Sequence, residues 1–497
     1  MILLYFYIFL AFREVVRMGK LDNIEPKEVF CFFEKLCSIP HGSGNVQKIS
    51  DYLVSFARER NLEVEQDKEL NVIIKAPGTA DYEDKEPVIL QGHMDMVAVK
   101  EDNCDINMET DGLKVTTDGE YVWAEGTSLG GDDGIAVAYC LALLDSKDIP
   151  HPPLEVVITT NEETGMYGAA AIDLSGLKSK KLINIDNEEE GVFITSCAGG
   201  ARFYSDFDLG NACKKEGTEI EVKVEGLLGG HSGEMIIKGR GNANIILART
   251  LAEAMDRVSV SVISLNGGVA DNAIPSSSTA KVVVDHKDAE EFIKSVEKTL
   301  EDVRGELEGK DDKLVISAVK GSEGSFDCYG EADSRRIVNA IISCPDGVQA
   351  MSAAVEGLVE TSLNLGIIKT EGSKVTVTWS VRSSVESAKM MLIRKLSVIS
   401  DIYGGKYTIT GKYPGWKFRQ DSDLREHMVK VYRDLYGKEP KIEAIHAGLE
   451  CGLLSEKIEG LDCISIGPDM MDIHSTKEKL SVKSTKSVWD YLKAVLK

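Results

Sequence analysis

Four short clusters combine histidine and carboxylates in a pattern that can do chemistry: QGHMDMV (91–97), TSLGGDDG (127–134), TTNEETG (159–165) and INIDNEEEG (183–191). A fifth, GPDMMDIHS (467–475), adds a late histidine. Imidazole with carboxylate suits Zn²⁺ or Mn²⁺, and the lack of any C-x-x-C pair argues against a structural thiolate zinc site. In an extended segment residues i and i+2 face the same side, so His93 can bind a metal while Asp95 braces its other ring nitrogen. Glu162 and Glu163 are adjacent, so in extended geometry one can ligate metal while the other faces a water. Hydrolysis on a pair of metal ions asks for that division, because a carboxylate must still take the proton from the attacking water.

These clusters stand at or just after strand ends. NVIIKAPG (71–78), PVILQG (87–92), EVVITT (155–160) and KLINID (181–186) read as strands, and DGIAVAYCLALLDS (133–146) as a largely buried helix. The alternation is an α/β signature, in which ligands gather beyond the carboxyl ends of the strands. After SCAGGARF the texture changes. EIEVKVEG, SVSVISLNG, TAKVVVDHK and KLVISAVKG alternate with period two, and NANIILARTLAEAM and EEFIKSVEKTLEDVRGEL carry helical spacing. KVTVTWSVRSS and the helix SAKMMLIRKLSVISDIY continue this second texture, and YPGWKF (413–418) supplies a turn where the chain can cross back. The expected organisation is an α/β catalytic domain in two pieces, 18–199 and 413–497, with a central mixed sheet flanked by helices, and an inserted α+β domain over 200–412.

The whole chain supports a soluble globular protein. It has 497 residues, 57 basic against 81 acidic side chains and a net charge of −24, which repels phosphate backbones and excludes nucleic acid as an expected partner. Ten scattered cysteines fit a reduced, cytoplasmic protein. The first 17 residues are apolar and aromatic, yet shorter than the roughly 20 needed to span a bilayer and without a basic n-region or cleavage pattern. They read as a leader outside the working protein or a weak tether, and no stable membrane association is expected.

The order and spacing of the clusters resemble the M20 family of co-catalytic zinc peptidases, in its aminoacyl-histidine dipeptidase branch. GGHSG with GRGNAN, DNAIP, RSSVES, HAGLECG and GP followed by HS extend the likeness from about residue 18 to the end. The resemblance implies a zinc-peptidase-like catalytic domain, with the inserted domain acting as lid and dimerisation element. It implies two divalent metal ions per subunit, Zn²⁺ foremost with Mn²⁺ or Co²⁺ as alternatives. His93 and Asp186 would hold one, Glu163 and His474 the other, and Asp132 would bridge them ahead of a cis peptide to Asp133. Glu162 would be general base and acid, with Asp95 orienting His93. His231 would reach across a homodimer interface to stabilise the oxyanion, and Asn272 and Arg382 would bind substrate. The implied reaction is hydrolysis of Xaa-His or a broad range of dipeptides. The alternatives are tripeptide cleavage, deacylation of N-acyl amino acids, or a non-catalytic peptide-binding role. Two departures stand out: GGDDG where the branch has GADNG-like text, and HSTKE in place of HSPDE. His446 and Glu450 of HAGLECG stay outside the expected catalytic set, and His41, His151, His286 and His427 show no partner pattern.

Overall fold

The computed structural model describes residues 19–353 and 355–497; the expected leader, 1–17, lies outside the described residues. The apolar runs of the first half form the middle of an eight-stranded mixed sheet. Leu154–Thr159, Val88–His93, Lys181–Asn184 and Asp462–Ser465 lie side by side and parallel. Glu63–Gln66 and Val72–Ala76 extend one side antiparallel, and Val192–Cys197 and Lys441–Ile445 complete the other. Strands buried on both faces need continuous hydrophobic runs, which VVIT and VILQG supply. Asn184 Nδ2 donates to Gln91 Oε1 across two of them at 2.6 Å, a buried pairing that fixes their register.

The helix Gly131–Asp145 is buried over nearly its whole length. It is apolar all round, as a helix enclosed by protein must be. It approaches the sheet closely at Gly92, where a Cβ would lie 2.5 Å from Asp133 Oδ2 and 2.6 Å from the Ala136 Cβ. On its far side Tyr139 stacks on Trp489 at 6.0 Å. A small four-stranded sheet joins Val115–Thr117, Tyr121–Ala124, Lys479–Ser481 and Met470–Met471. It ties the segment after His474 to the approach to Asp132.

The alternating segments build a second, antiparallel sheet in the order Val315–Cys328, Cys213–Glu225, Ser278–Val284, Val260–Gly267, Val359–Glu371, Lys374–Ser383, Gly199–Asp208, Lys406–Tyr413. Its core includes Phe203, Val282, Leu365 and Trp379, with Leu251, Phe292, Ile337 and Leu396 from four helices packed on it. The chain divides into two compact units, one comprising residues up to Thr195, Arg419–Ile442 and Leu454–Lys497, the other Ser196–Phe418 and Glu443–Leu453. The sequence reading placed 443–453 with the other end pieces. Backbone bonding explains the difference: Ala198 N donates to the carbonyls of Ile445 at 3.2 Å and Ala447 at 3.0 Å, and Cys197 N to Trp416 at 2.9 Å. Among the described residues no helix is long and apolar enough to cross a membrane.

Candidate functional site

Within the first unit, the carboxyl ends of the four parallel strands carry the expected ligands. His93 ends its strand, Asp186 follows Lys181–Asn184, Glu163 follows Leu154–Thr159, and His474 lies beyond Asp462–Ser465. Asp132 enters from the start of the central helix, through non-helical φ/ψ and a cis peptide to Asp133. Its carboxylate is shared. Asp132 Oδ1 lies 3.1 Å from His93 Nε2, and Oδ2 lies 3.0 Å from His474 Nε2. His93 Nε2 is also 3.5 Å from Asp186 Oδ1, and His474 Nε2 is 2.9 Å from Glu163 Oε1. Two ligand groups result, His93–Asp132–Asp186 and Asp132–Glu163–His474, with donor atoms in each within 4.8 Å of one another.

The surrounding contacts position this set. His93 Nδ1 lies 2.9 Å from the Asp95 main-chain carbonyl and 3.6 Å from the Asp95 carboxylate, so the main chain is the nearer partner. The Asp95 carboxylate instead accepts from Ser43 Oγ at 2.7 Å and from the amide of Glu162 at 3.1 Å. It thereby fixes the turn that presents both glutamates. That turn is not extended as the sequence reading assumed: Asn161 has φ 53° and residues 163–165 form a turn.

Glu478 is a positioning group that sequence reasoning missed. Its buried carboxylate accepts from the amides of Leu129 at 2.8 Å, Gly130 at 3.1 Å and Gly131 at 2.7 Å. Gly130 sits at φ 69°, a conformation that suits glycine, and this lets the three amides converge. The only signal was a glutamate four residues after His474, in the segment HSTKE.

The electrostatics test whether a cation fits. Burial, reinforced by the charges of Asp132 and Glu163, pushes the Asp186 carboxyl up to about 6 despite its bond to His93. Burial would also raise Asp132, but bonds to His474 and His93 outweigh it and hold the carboxyl below the usual range. His474 is pushed up to about 10 by Asp132 and Glu163, and His93 is raised as its carboxylate partners overcome burial. Among the described residues no lysine or arginine forms an ion pair with Asp132, Glu163 or Asp186. Crowded carboxylates drawing protons onto imidazoles are a donor set built for cations, with neutral imidazole and carboxylate suited to zinc or manganese.

A profile described as Peptidase family M20/M25/M40 matches residues 89–497. The chain belongs to that family. The peptidase is 36% identical to the cytosol non-specific dipeptidase of Escherichia coli (strain K12), over 97% of this chain and 99% of the relative. It is similar to the crystal structure of aminoacylhistidine dipeptidase from Vibrio alginolyticus, with a TM-score of 0.90 and 36% identity, covering 96% of this chain and 97% of that one. Aminopeptidase PepT from Bacillus cereus ATCC 10987 shares the fold at a TM-score of 0.55 and 15% identity, over 95% and 98% of the two chains. The peptidase is therefore a hydrolase with an α/β catalytic fold.

The remaining expected residues lie in the peptidase's second unit. His231 sits in a two-residue strand paired with Ala273–Ile274, and Ser232 N donates to the Asn272 carbonyl at 2.8 Å, so GGHSG and DNAIP adjoin. Arg382 is buried on Lys374–Ser383, with Nη1 3.3 Å from Tyr413 Oη and Nε without a hydrogen-bond partner. His446 joins them, its Nε2 2.7 Å from the Ser362 hydroxyl. Burial foremost, then the charge of Arg382, pushes His446 down to about 3 and lowers His231 as well. HAGLECG was the signal for His446, but its glycines also fit a plain turn.

Proposed function

We propose that the chain is a dinuclear metal dipeptidase acting on Xaa-His or a broad range of dipeptides. The observation that carries this reading is the Asp132 carboxylate shared between two three-residue candidate ligand groups, one of which holds Glu163, the sequence neighbour of Glu162. The similarity to the Escherichia coli non-specific dipeptidase and the Vibrio aminoacylhistidine dipeptidase supports the substrate class. His93, Asp132 and Asp186 would hold one ion, and Asp132, Glu163 and His474 the other, with Zn²⁺ the expected metal. When bound, the ions would polarise the scissile carbonyl and acidify the attacking water. Glu162 takes the water's proton as oxygen adds to the carbonyl carbon, then delivers it to the amine nitrogen as the C–N bond breaks. Asp95 holds the Glu162 turn in place for both transfers, and Glu478 holds the loop that leads into Asp132.

The second unit, as lid and dimerisation domain, supplies the substrate contacts in this reading. The unpartnered Nε of Arg382 suits a bidentate grip on a terminal carboxylate, with Asn272 nearby in sequence register to His231. His231 stabilises the oxyanion in the partner's site of a homodimer. The protein works in the cytoplasm.

The test is a substrate panel with the metal-replete protein: β-Ala-His, Leu-His, Gly-Gly, a tripeptide and an N-acetyl amino acid. Dipeptides should be cleaved, and Glu162→Ala should abolish turnover. Cleavage of the acetylated compound alone would favour deacylation, and preference for the tripeptide would favour a tripeptidase. Turnover unchanged by Glu162→Ala removes the proton-transfer mechanism.

A further inference from the structure

Cys213 opens the strand Cys213–Glu225 and Cys328 closes its edge neighbour Val315–Cys328, and the two are directly opposed in the antiparallel register. Opposed residues in such a ladder have Cα atoms about 4.5 to 5.5 Å apart, inside the roughly 4.4 to 6.8 Å that a disulfide spans. The Cys328 thiol already reaches across the ladder, donating to the Cys213 main-chain carbonyl at 3.7 Å. The next pair along, Lys214 with Asp327, is held by an ion pair at 3.3 Å, which keeps this end of the ladder in register.

We propose that Cys213 and Cys328 are a thiol oxidation site that closes into a reversible cross-strand disulfide when a small disulfide oxidant accumulates. Exposure sets the order of events. Cys213 is exposed and Cys328 buried, and burial pushes the Cys328 thiol up, so Cys213 is the sulfur that meets the oxidant. The Cys213 thiolate attacks one sulfur of oxidised glutathione, forming a mixed disulfide and releasing one glutathione thiol. Cys328, losing its proton to solvent, then attacks Cys213 Sγ and releases the second. Two protein thiols are oxidised and one glutathione disulfide is reduced to two thiols.

The bond would pin an exposed edge. Val315–Cys328 lies at one end of the sheet and most of its side chains are open to solvent. Its solvent-open stretch around 319–325 is therefore a place for local opening that the cross-link at 328 would restrain.

The experiment incubates the full-length protein with oxidised glutathione at neutral pH and maps disulfides in a non-reducing digest. The expected product links the 213 and 328 peptides within one chain, with slower hydrogen exchange over 315–328 that reverts on adding dithiothreitol. Cys328→Ser should instead accumulate glutathione on Cys213. A wild-type protein that keeps a persistent mixed disulfide on Cys213, a linkage between two chains, or no reaction at either cysteine would each overturn the proposal.

Discussion

The two oxygens of Asp132 face different histidines, His93 and His474, and in the proposed reading this makes the ligands unequal. Asp132→Ala should abolish binding of both ions, whereas Asp186→Ala or Glu163→Ala should leave one, read as the metal-to-protein ratio after gel filtration. Glu162 makes no part of either ligand group. Glu162→Gln should therefore keep both ions and lower kcat by about 10² to 10⁴, the usual worth of a positioned general base. Retention of full metal with unchanged kcat would remove Glu162 from the reaction. That these residues would come together was legible in the sequence, because histidine and carboxylate at the ends of buried strands have few other reasons to be there. Partners set by the folded chain were not. Asp95 faces the Glu162 amide, and Glu478 reaches amides nearly 350 residues earlier in the chain, contacts that no local spacing encodes.

All three amides of the loop 129–131 converge on the Glu478 carboxylate, so its order should depend on Glu478. Glu478→Ala leaves three buried amides without their acceptor, and outer-shell losses of this kind typically cost 10- to 100-fold in metal affinity. We expect that drop for a competitive titration with Zn²⁺ or Mn²⁺, with Glu478→Gln intermediate because it keeps one acceptor oxygen. Affinity unchanged in the alanine variant would mean that the loop is ordered without Glu478. Elements with a clear pattern were readable from sequence, the central helix by its unbroken apolar run and the strand Lys374–Ser383 by its alternation. Three others were not. Lys406–Tyr413 is exposed or half-exposed at every position, and its alternating Tyr407, Ile409 and Tyr413 are interrupted by Gly411, so it carries only a weak strand signal. In Val359–Glu371 the alternation breaks at Gly366, where the register shifts between Leu365 and Ile367. Gly199–Asp208 begins on two glycines, which look like a turn in the sequence.

Over the whole molecule two electrostatic effects oppose each other as pH falls. Protonating carboxylates reduces the net charge of −24, which relieves self-repulsion and favours the compact state. Buried His446 acts the other way. Its folded value is depressed to about 3 by burial and by Arg382, so its contribution to stability is complete above the ordinary value near 6.5 and is lost as pH falls towards 3. At about 1.4 kcal/mol per unit, the loss between pH 6.5 and pH 5 is about 2 kcal/mol, concentrated on one residue. Diffuse repulsion among solvated surface charges is screened by salt, so at physiological ionic strength buried groups dominate the response of the second unit. Hydrogen exchange of Val359–Glu371 and Lys374–Ser383, the strands carrying Ser362 and Arg382 beside His446, resolves that unit from the first. Asp346, pushed up to about 6 by burial and bonded to Leu365 N, gains stability over the same window in both proteins, so protection corrected for intrinsic rates should fall from pH 6.5 to 5 by about 2 kcal/mol more in the wild type than in His446→Gln. Equal losses in both proteins would show that His446 does not govern the acid response.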